Sequence, residues 1–171
     1  VPTMGALHAG HASLMDQLRP RCDVLAVSVY VNPLQFGPTE DLARYPRTLD
    51  ADVALCAAHG VDLVFAPADL YPDGFATSVS VHGLTEGLCG ASRPGHFEGV
   101  ATVCARLFGV TRAAVACFGE KDFQQLMVLR GMVAQVGLPI AVHGGETLRS
   151  PEGLALSSRN QYLSDAQRQQ A

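Results

Sequence analysis

Two periodicities alternate along this chain, and that alternation constrains its fold more than any other feature. Short apolar, β-branched runs recur at residues 23–31, 62–66, 113–118 and 139–142, each ending near a glycine, a proline or a polar cluster. Runs with so little polar alternation predict strands buried on both faces, the habit of parallel strands. Between them, apolar residues return at helical spacing: Leu14 with Leu18; Leu49, Val53 and Cys56; and Phe97, Val100, Ala101, Cys104, Leu107 and Phe108. A further helix over 121–136 is expected to bury Leu126, Leu129, Val133 and Val136, and Gly137 with Pro139 stops it. Ser164 and Gln167 have the spacing of a capping box that opens a last helix.

Strand and helix in turn predict an α/β fold, a Rossmann-like, doubly wound, mostly parallel sheet with helices on both faces. Its ligands belong at the carboxyl ends of the strands. Residues 1–3 read as the tail of a first strand, so most of that strand is expected to be lacking and the start to be a cut. Residues 77–82 are a candidate for a short extra strand in the excursion from 67 to 95.

Composition narrows the function. With 171 residues, 48% hydrophobic and 16% charged, the chain can bury one sizeable core and is not a disordered tail. Sixteen acidic against twelve basic side chains, a net charge of −4 and no Lys/Arg block argue against nucleic acid as a partner. The longest apolar stretch, 24–31, is broken by Ser28 and far shorter than the roughly 20 residues a membrane helix needs, so no membrane span is expected. Five cysteines, scattered singly and odd in number, read as reduced, mostly buried thiols of a cytoplasmic protein, neither a disulfide framework nor a zinc site.

Four polar clusters follow predicted strands. In Met4-Gly5-Ala6-Leu7-His8-Ala9-Gly10-His11, two imidazoles one turn apart at a helix N-terminus suit a phosphate, and the glycines would let the anion approach the backbone. Zinc would need a third ligand that no recognisable spacing supplies, so no resident metal is assigned; ordinary helix capping by His8 is the structural alternative. Asn32 and Gln35, after the second run, offer amides to a small polar substrate, or merely form a turn. Gly119-Glu120-Lys121-Asp122 places a lysine where strand meets helix, ahead of Gln124 and Gln125. Leu156-Ser157-Ser158-Arg159 puts two hydroxyls and a guanidinium on one loop, a combination suited to a polyphosphate. Arg93 and His96 stand between anion binding and helix capping; His59, His82 and His143 are expected at surface or structural positions.

Read together, HxGH at 8–11, VNPxQF at 31–36, YPRT at 45–48, SRPGHF at 92–97, FGEKDFQQL at 118–126 and GLALSSRN at 153–160 resemble the pantothenate synthetase family, in its order and nearly end to end. HxGH alone would indicate only the wider superfamily of nucleotidyltransferases and class I aminoacyl-tRNA synthetases. Leu34 stands where the family frequently has methionine.

The resemblance implies ATP-dependent condensation of (R)-pantoate with β-alanine to give pantothenate, AMP and diphosphate through pantoyl adenylate, with Mg2+, in coenzyme A biosynthesis and as a homodimer. It implies ATP contacts from Met4, Gly5, Ala6, Leu7, His8, Ala9, Gly10 and His11, from Gly119, Glu120, Lys121 and Asp122, from the backbone near Leu148, and from Leu156, Ser157, Ser158 and Arg159. His11 would be the proton donor, with His8 and Lys121 beside it in catalysis. Gln35 and Gln125 would hold pantoate, Gln35 also lying at the β-alanine site. Residues 1–160 would be the nucleotide- and pantoate-binding domain, and 161–171 the start of a connection to a C-terminal lid domain that the chain lacks, which implies impaired activity for the chain alone. Two other readings stay open: a nucleotidyltransferase of the same superfamily, with no use for Gln35 and Gln125, and a noncatalytic nucleotide-binding module.

Overall fold

A computed structural model describes residues 1–170; Ala171, the end of the 161–171 segment, lies outside the described residues. Strands β1 (Pro2–Thr3), β2 (Ala26–Val29) and β3 (Leu63–Phe65) form one parallel ladder in the order β1-β2-β3, with Thr3 opposite Val29 and Val27 opposite Val64. Strands β4 (Val115–Gly119) and β5 (Ala141–Gly145) form a second parallel ladder, Val115 to Gly119 pairing in register with Ala141 to Gly145. Strand β1 lies beside β4 without ladder bonds, so the spatial order is β3-β2-β1-β4-β5. The chain reverses its winding at the β1/β4 seam, where such sheets bind ligands.

Among the described residues the helices are α1 (Ala9–Leu18), α2 (Leu49–Ala58), the short α3 (Cys89–Ser92), α4 (His96–Thr111), α5 (Phe123–Val136) and α6 (Asp165–Gln170). Alternation along β4 shows why both faces must be covered. Ala116 and Phe118 enter the core built with α4 and α5, whereas Cys117 points the other way into the core of Leu14, Met15, Leu18, Val27 and Cys56. Every residue anticipated on the inner face of α4 is buried. The Ser164–Gln167 capping box opens α6, Gln167 N–H donating to Ser164 Oγ at 3.3 Å and Ser164 N–H to Gln167 Oε1 at 2.8 Å. Gly137 caps α5, its N–H donating to the Val133 carbonyl.

Three expectations are corrected. Residues 77–82 form no strand; Val79 N–H donates instead to Thr102 Oγ1 at 2.9 Å, and Val81 packs on the α4 core. On α2, Leu49 and Val53 are exposed and Asp52 is buried with Cys56, because the Asp52 carboxylate faces backbone amides described below. Val136 is exposed at the end of α5, where Val128 and Met132 take the buried positions. Cys56, Cys104 and Cys117 are buried, Cys22 is partly buried and Cys89 is exposed; the five are unpaired.

Candidate active site

The loop from β1 to α1 holds two consecutive residues in the left-handed region, Gly5 at φ +84° and Ala6 at φ +50°. For a residue with a Cβ such as Ala6 this conformation costs about 1–2 kcal/mol. What holds it is Asp52 on α2: its Oδ2 accepts from Ala6 N–H at 3.1 Å and its Oδ1 from Leu7 N–H at 2.8 Å and from Thr48 Oγ1 at 3.2 Å. A Cβ on Gly5 would lie 2.9 Å from Asp52 Oδ2, so glycine is required for space as well as for dihedral angle.

His8 then caps α1. Its Nδ1 accepts from Gly10 N–H at 3.1 Å, while His11 Nδ1 accepts from His8 N–H at 3.3 Å, a capping box made of two imidazoles with centroids 4.2 Å apart. Because both Nδ1 atoms accept, each neutral ring carries its proton on Nε2. Burial, with Lys121 nearby, lowers the His8 pKa. Burial, then the His8 and Lys121 charges, lowers that of His11 to about 4. Both rings are therefore neutral N–H donors at neutral pH. The expectation of free amides and glycine clearance for an anion is modified accordingly: His8 itself satisfies the Gly10 amide, and a Cβ on Gly10 would lie 2.8 Å from His8 Cε1, so this glycine makes room for the imidazole.

The second cluster is a tightly held turn. Asn32 is buried with its amide fully used, Nδ2 donating to Gln35 Oε1 at 3.0 Å and to the Gly99 carbonyl at 3.1 Å, and Oδ1 accepting from Tyr71 Oη at 2.8 Å and Leu34 N–H at 3.3 Å. Asn32 is thus a scaffold for Gln35 and has no hydrogen-bonding capacity left for a substrate. His96 completes the frame: its Nδ1–H donates to the Gln35 carbonyl at 2.9 Å while Arg93 Nη1 donates to its Nε2 at 3.0 Å. Arg93 in turn grips Glu40 with two bonds of 2.7 Å. Arg93 and His96 thus brace the backbone around Gln35, and both also border the cleft described below.

The strap that follows joins the fourth cluster. Arg159 makes two bonds to Asp41, at 2.8 and 3.0 Å, and lies over the Tyr45 ring. The buried Tyr45 meets Ser158 Oγ at 3.3 Å, and Ser157 Oγ accepts from Arg159 N–H at 3.3 Å. The Arg159 guanidinium holds the Asp41 carboxyl below its ordinary pKa. Lys121 rests on its neighbour Asp122 at 2.9 Å. The two glutamines of α5 divide their work: Gln124 clamps the 84–89 segment through the Leu84 and Gly87 carbonyls and the Cys89 N–H, leaving Gln125 to the cleft.

These groups line one open cleft of ≈ 240 Å³ at the β1/β4 seam. Of the residues expected at the site, Met4, His8, Gly10, His11, Gln35, Gly119, Lys121, Asp122, Gln125, Leu148, Leu156, Ser157, Ser158 and Arg159 all border it. Gly5, Ala6, Leu7, Ala9 and Glu120 do not: the Ala6 and Leu7 amides turn to Asp52, Ala9 faces outward at the start of α1, and Glu120 is an exposed residue of the turn after β4. The Leu148 carbonyl accepts from Leu156 N–H at 3.0 Å, which ties two of the expected contacts together. Asp52, Tyr71 and Gly99 were not singled out from sequence. The one signal for Asp52 was its place one turn before Cys56, and Asp50 beside it on the same apolar helix blurs that signal.

Comparison with known proteins identifies the family. The family model described as pantoate-beta-alanine ligase matches residues 1–171. A pantothenate synthetase of Trichlorobacter lovleyi is 58% identical over 173 residues, covering 100% of this chain and 61% of that protein, and one of Pseudomonas putida is 56% identical, covering 98% and 60%. The chain therefore spans about 61% of the length of the curated relatives it matches. Crystal structures of pantothenate synthetase from Thermus thermophilus (TM-score 0.98, 55% identity, 99% of this chain and 63% of that one) and of pantoate-beta-alanine ligase from Francisella tularensis (TM-score 0.92, 40% identity, 96% and 64%) superpose on it. The second is complexed with beta-gamma ATP and beta-alanine. By motif order, fold and similarity along its whole length, this chain belongs to the pantoate-beta-alanine ligase family.

Proposed function

We propose that this chain carries the nucleotide- and pantoate-binding part of an enzyme that condenses (R)-pantoate with β-alanine at the expense of ATP. The observation that carries the reading is convergence: two imidazoles, Lys121, the Ser157–Arg159 loop and the amides of Gln35 and Gln125, far apart in sequence, border one cleft.

A carboxylate is a poor acylating agent. In the reaction proposed, a pantoate carboxylate oxygen attacks the α-phosphorus of ATP, the bond to the bridging oxygen breaks, and diphosphate departs with that electron pair. The β-alanine amine then attacks the acyl carbon of the pantoyl adenylate, loses a proton, and expels AMP. Negative charge grows on phosphate oxygens in the first step and on the acyl oxygen in the second. His8 and His11 would meet it as Nε2–H donors, Lys121 and Arg159 as fixed cations, with no covalent enzyme intermediate. Gln35 and Gln125 would orient pantoate.

Mg2+ is proposed as the accompanying ion. Among the described residues no group of three His, Cys, Asp or Glu side chains could hold a metal. Mg2+ usually binds through one or two carboxylates plus substrate phosphates; Asp122 and Glu146 are the carboxylates bordering the cleft. Bound there, it would neutralise phosphate charge. Residues 1–160 would form the binding domain and 161–171 lead toward a lid domain. The family resemblance supports a homodimer and the scattered unpaired cysteines support a cytoplasmic setting; no described helix is long and apolar enough to cross a membrane. Neither nucleic acid nor lipid is proposed as a partner.

Isotope exchange between diphosphate and ATP tests the reading. It should appear with pantoate present and vanish without it; exchange supported by a phosphate ester but not by pantoate would transfer the site to the nucleotidyltransferase class.

A further inference from the structure

Two consecutive amides on a turn with left-handed residues form a concavity that ordinarily takes an anion from outside the chain. In this protein the concavity faces inward and is filled. Gly5 and Ala6 are both left-handed, and the Ala6 and Leu7 amides converge on the two oxygens of one buried carboxylate, Asp52, reached from a helix 45 residues further along. The next residue is His8, whose own N–H donates to His11 Nδ1. A continuous path of bonds thus runs from Asp52 through Leu7 and His8 to His11.

We infer that Asp52 is a positioning residue for the reaction: it locks the β1–α1 turn so that the paired imidazoles present their Nε2–H groups to the cleft. It touches no reacting atom, does not border the cleft, and acts only through the turn. The carboxylate is specific to the task because both acceptors are in use. Oδ2 serves Ala6, and Oδ1 serves Leu7 with Thr48. An asparagine in the same place would turn an NH2 group toward one of the two amides and open that side of the turn.

The kinetic part of this inference rests on the ligase reading above; the structural part does not, and the experiment separates them. In the Asp52→Asn variant, kcat for pantothenate formation should fall about 100-fold, the scale of a small displacement of catalytic groups. KM for pantoate should stay within about threefold, because Gln35 and Gln125 are held by other elements. The imidazole 15N shifts of His8 and His11 should change from a pure Nε2–H pattern to a mixture of tautomers, which a loss of stability alone would not produce below the melting transition. Val53→Ala, on the exposed side of the same helix, should leave rate and shifts unchanged. Hydrogen exchange on the unmodified protein needs no variant: the Ala6 and Leu7 amides should be protected far above an open loop.

Unchanged imidazole shifts and kcat within threefold in Asp52→Asn would overturn the inference. So would loop-like exchange of Ala6 and Leu7, even if the variant fails to fold. Should the protein show no pantoate-dependent turnover even when extended to the length of its relatives, the ligase reading fails, while shifts and exchange still decide the role of Asp52.

Discussion

The imidazole of His11 receives a backbone N–H on Nδ1 and lies near both His8 and Lys121, surroundings that oppose a positive charge. Its pKa of about 4 against an ordinary 6.5 has a stability consequence with a definite sign. Above about pH 6.5 neither folded nor unfolded chain protonates this group, so its contribution to stability is whole. Between pH 6.5 and about 4 the unfolded chain takes up a proton that the folded one refuses, and stability falls as pH falls. The window corresponds to up to about 3 kcal/mol. Urea unfolding across this range should show the loss, and His11→Asn should flatten it. Added ATP supplies the opposite charge, so the His11 midpoint followed by NMR should rise when nucleotide binds. The two histidines were conspicuous in the sequence, and their spacing already implied one face of a helix. Their tautomer was not legible, because it follows from which backbone N–H meets which ring nitrogen.

At the level of elements, α4 does more than fill the core. Gly99 on its first turns lets the 33–35 turn pass so close that a Cβ would collide with the Leu34 carbonyl and lie 2.6 Å from Gln35 N, and the Gly99 carbonyl also accepts from Asn32. Gly99→Ala must push that turn, and Gln35 with it, away from α4. Overpacking of this kind costs about 1–3 kcal/mol. The larger expected effect is a KM for pantoate raised about tenfold or more, with KM for ATP little altered, measurable by steady-state kinetics. The inner face of α4 was plain from its apolar spacing. That of α2 was not, since LDADVALCAA is apolar on nearly every side and spacing cannot choose among its faces. The choice fell to Asp52, which turned inward to satisfy the Ala6 and Leu7 amides, 46 and 45 residues upstream, leaving Leu49 and Val53 to solvent. The supposed strand at 77–82 failed for a related reason: its apolar alternation is real, but its partner is the surface of α4 and not a strand edge.

Over the whole molecule, the cleft straddles a seam across which β1 and β4 share no ladder bonds. A nucleotide touching both sides would act as a staple. At a hundred times its Kd, ATP with Mg2+ should stabilise the fold by about 2.7 kcal/mol and raise Tm by about 5–10 °C. Scanning calorimetry would check this, and Lys121→Ala should shrink the shift with little effect on the ligand-free Tm, because its partner is an exposed neighbour.

Alternating strand and helix periods, and the residues that follow each strand, are local properties; they were enough to specify a parallel α/β sheet and to assemble a list of charged and amide groups for one site. Which of those groups face the cleft, which are consumed in holding it, and that Asp52 anchors the turn from another helix emerged only in three dimensions. Those outcomes depend on backbone amides finding acceptors, and a hydrogen bond between residues 45 positions apart leaves no mark on the spacing around either of them.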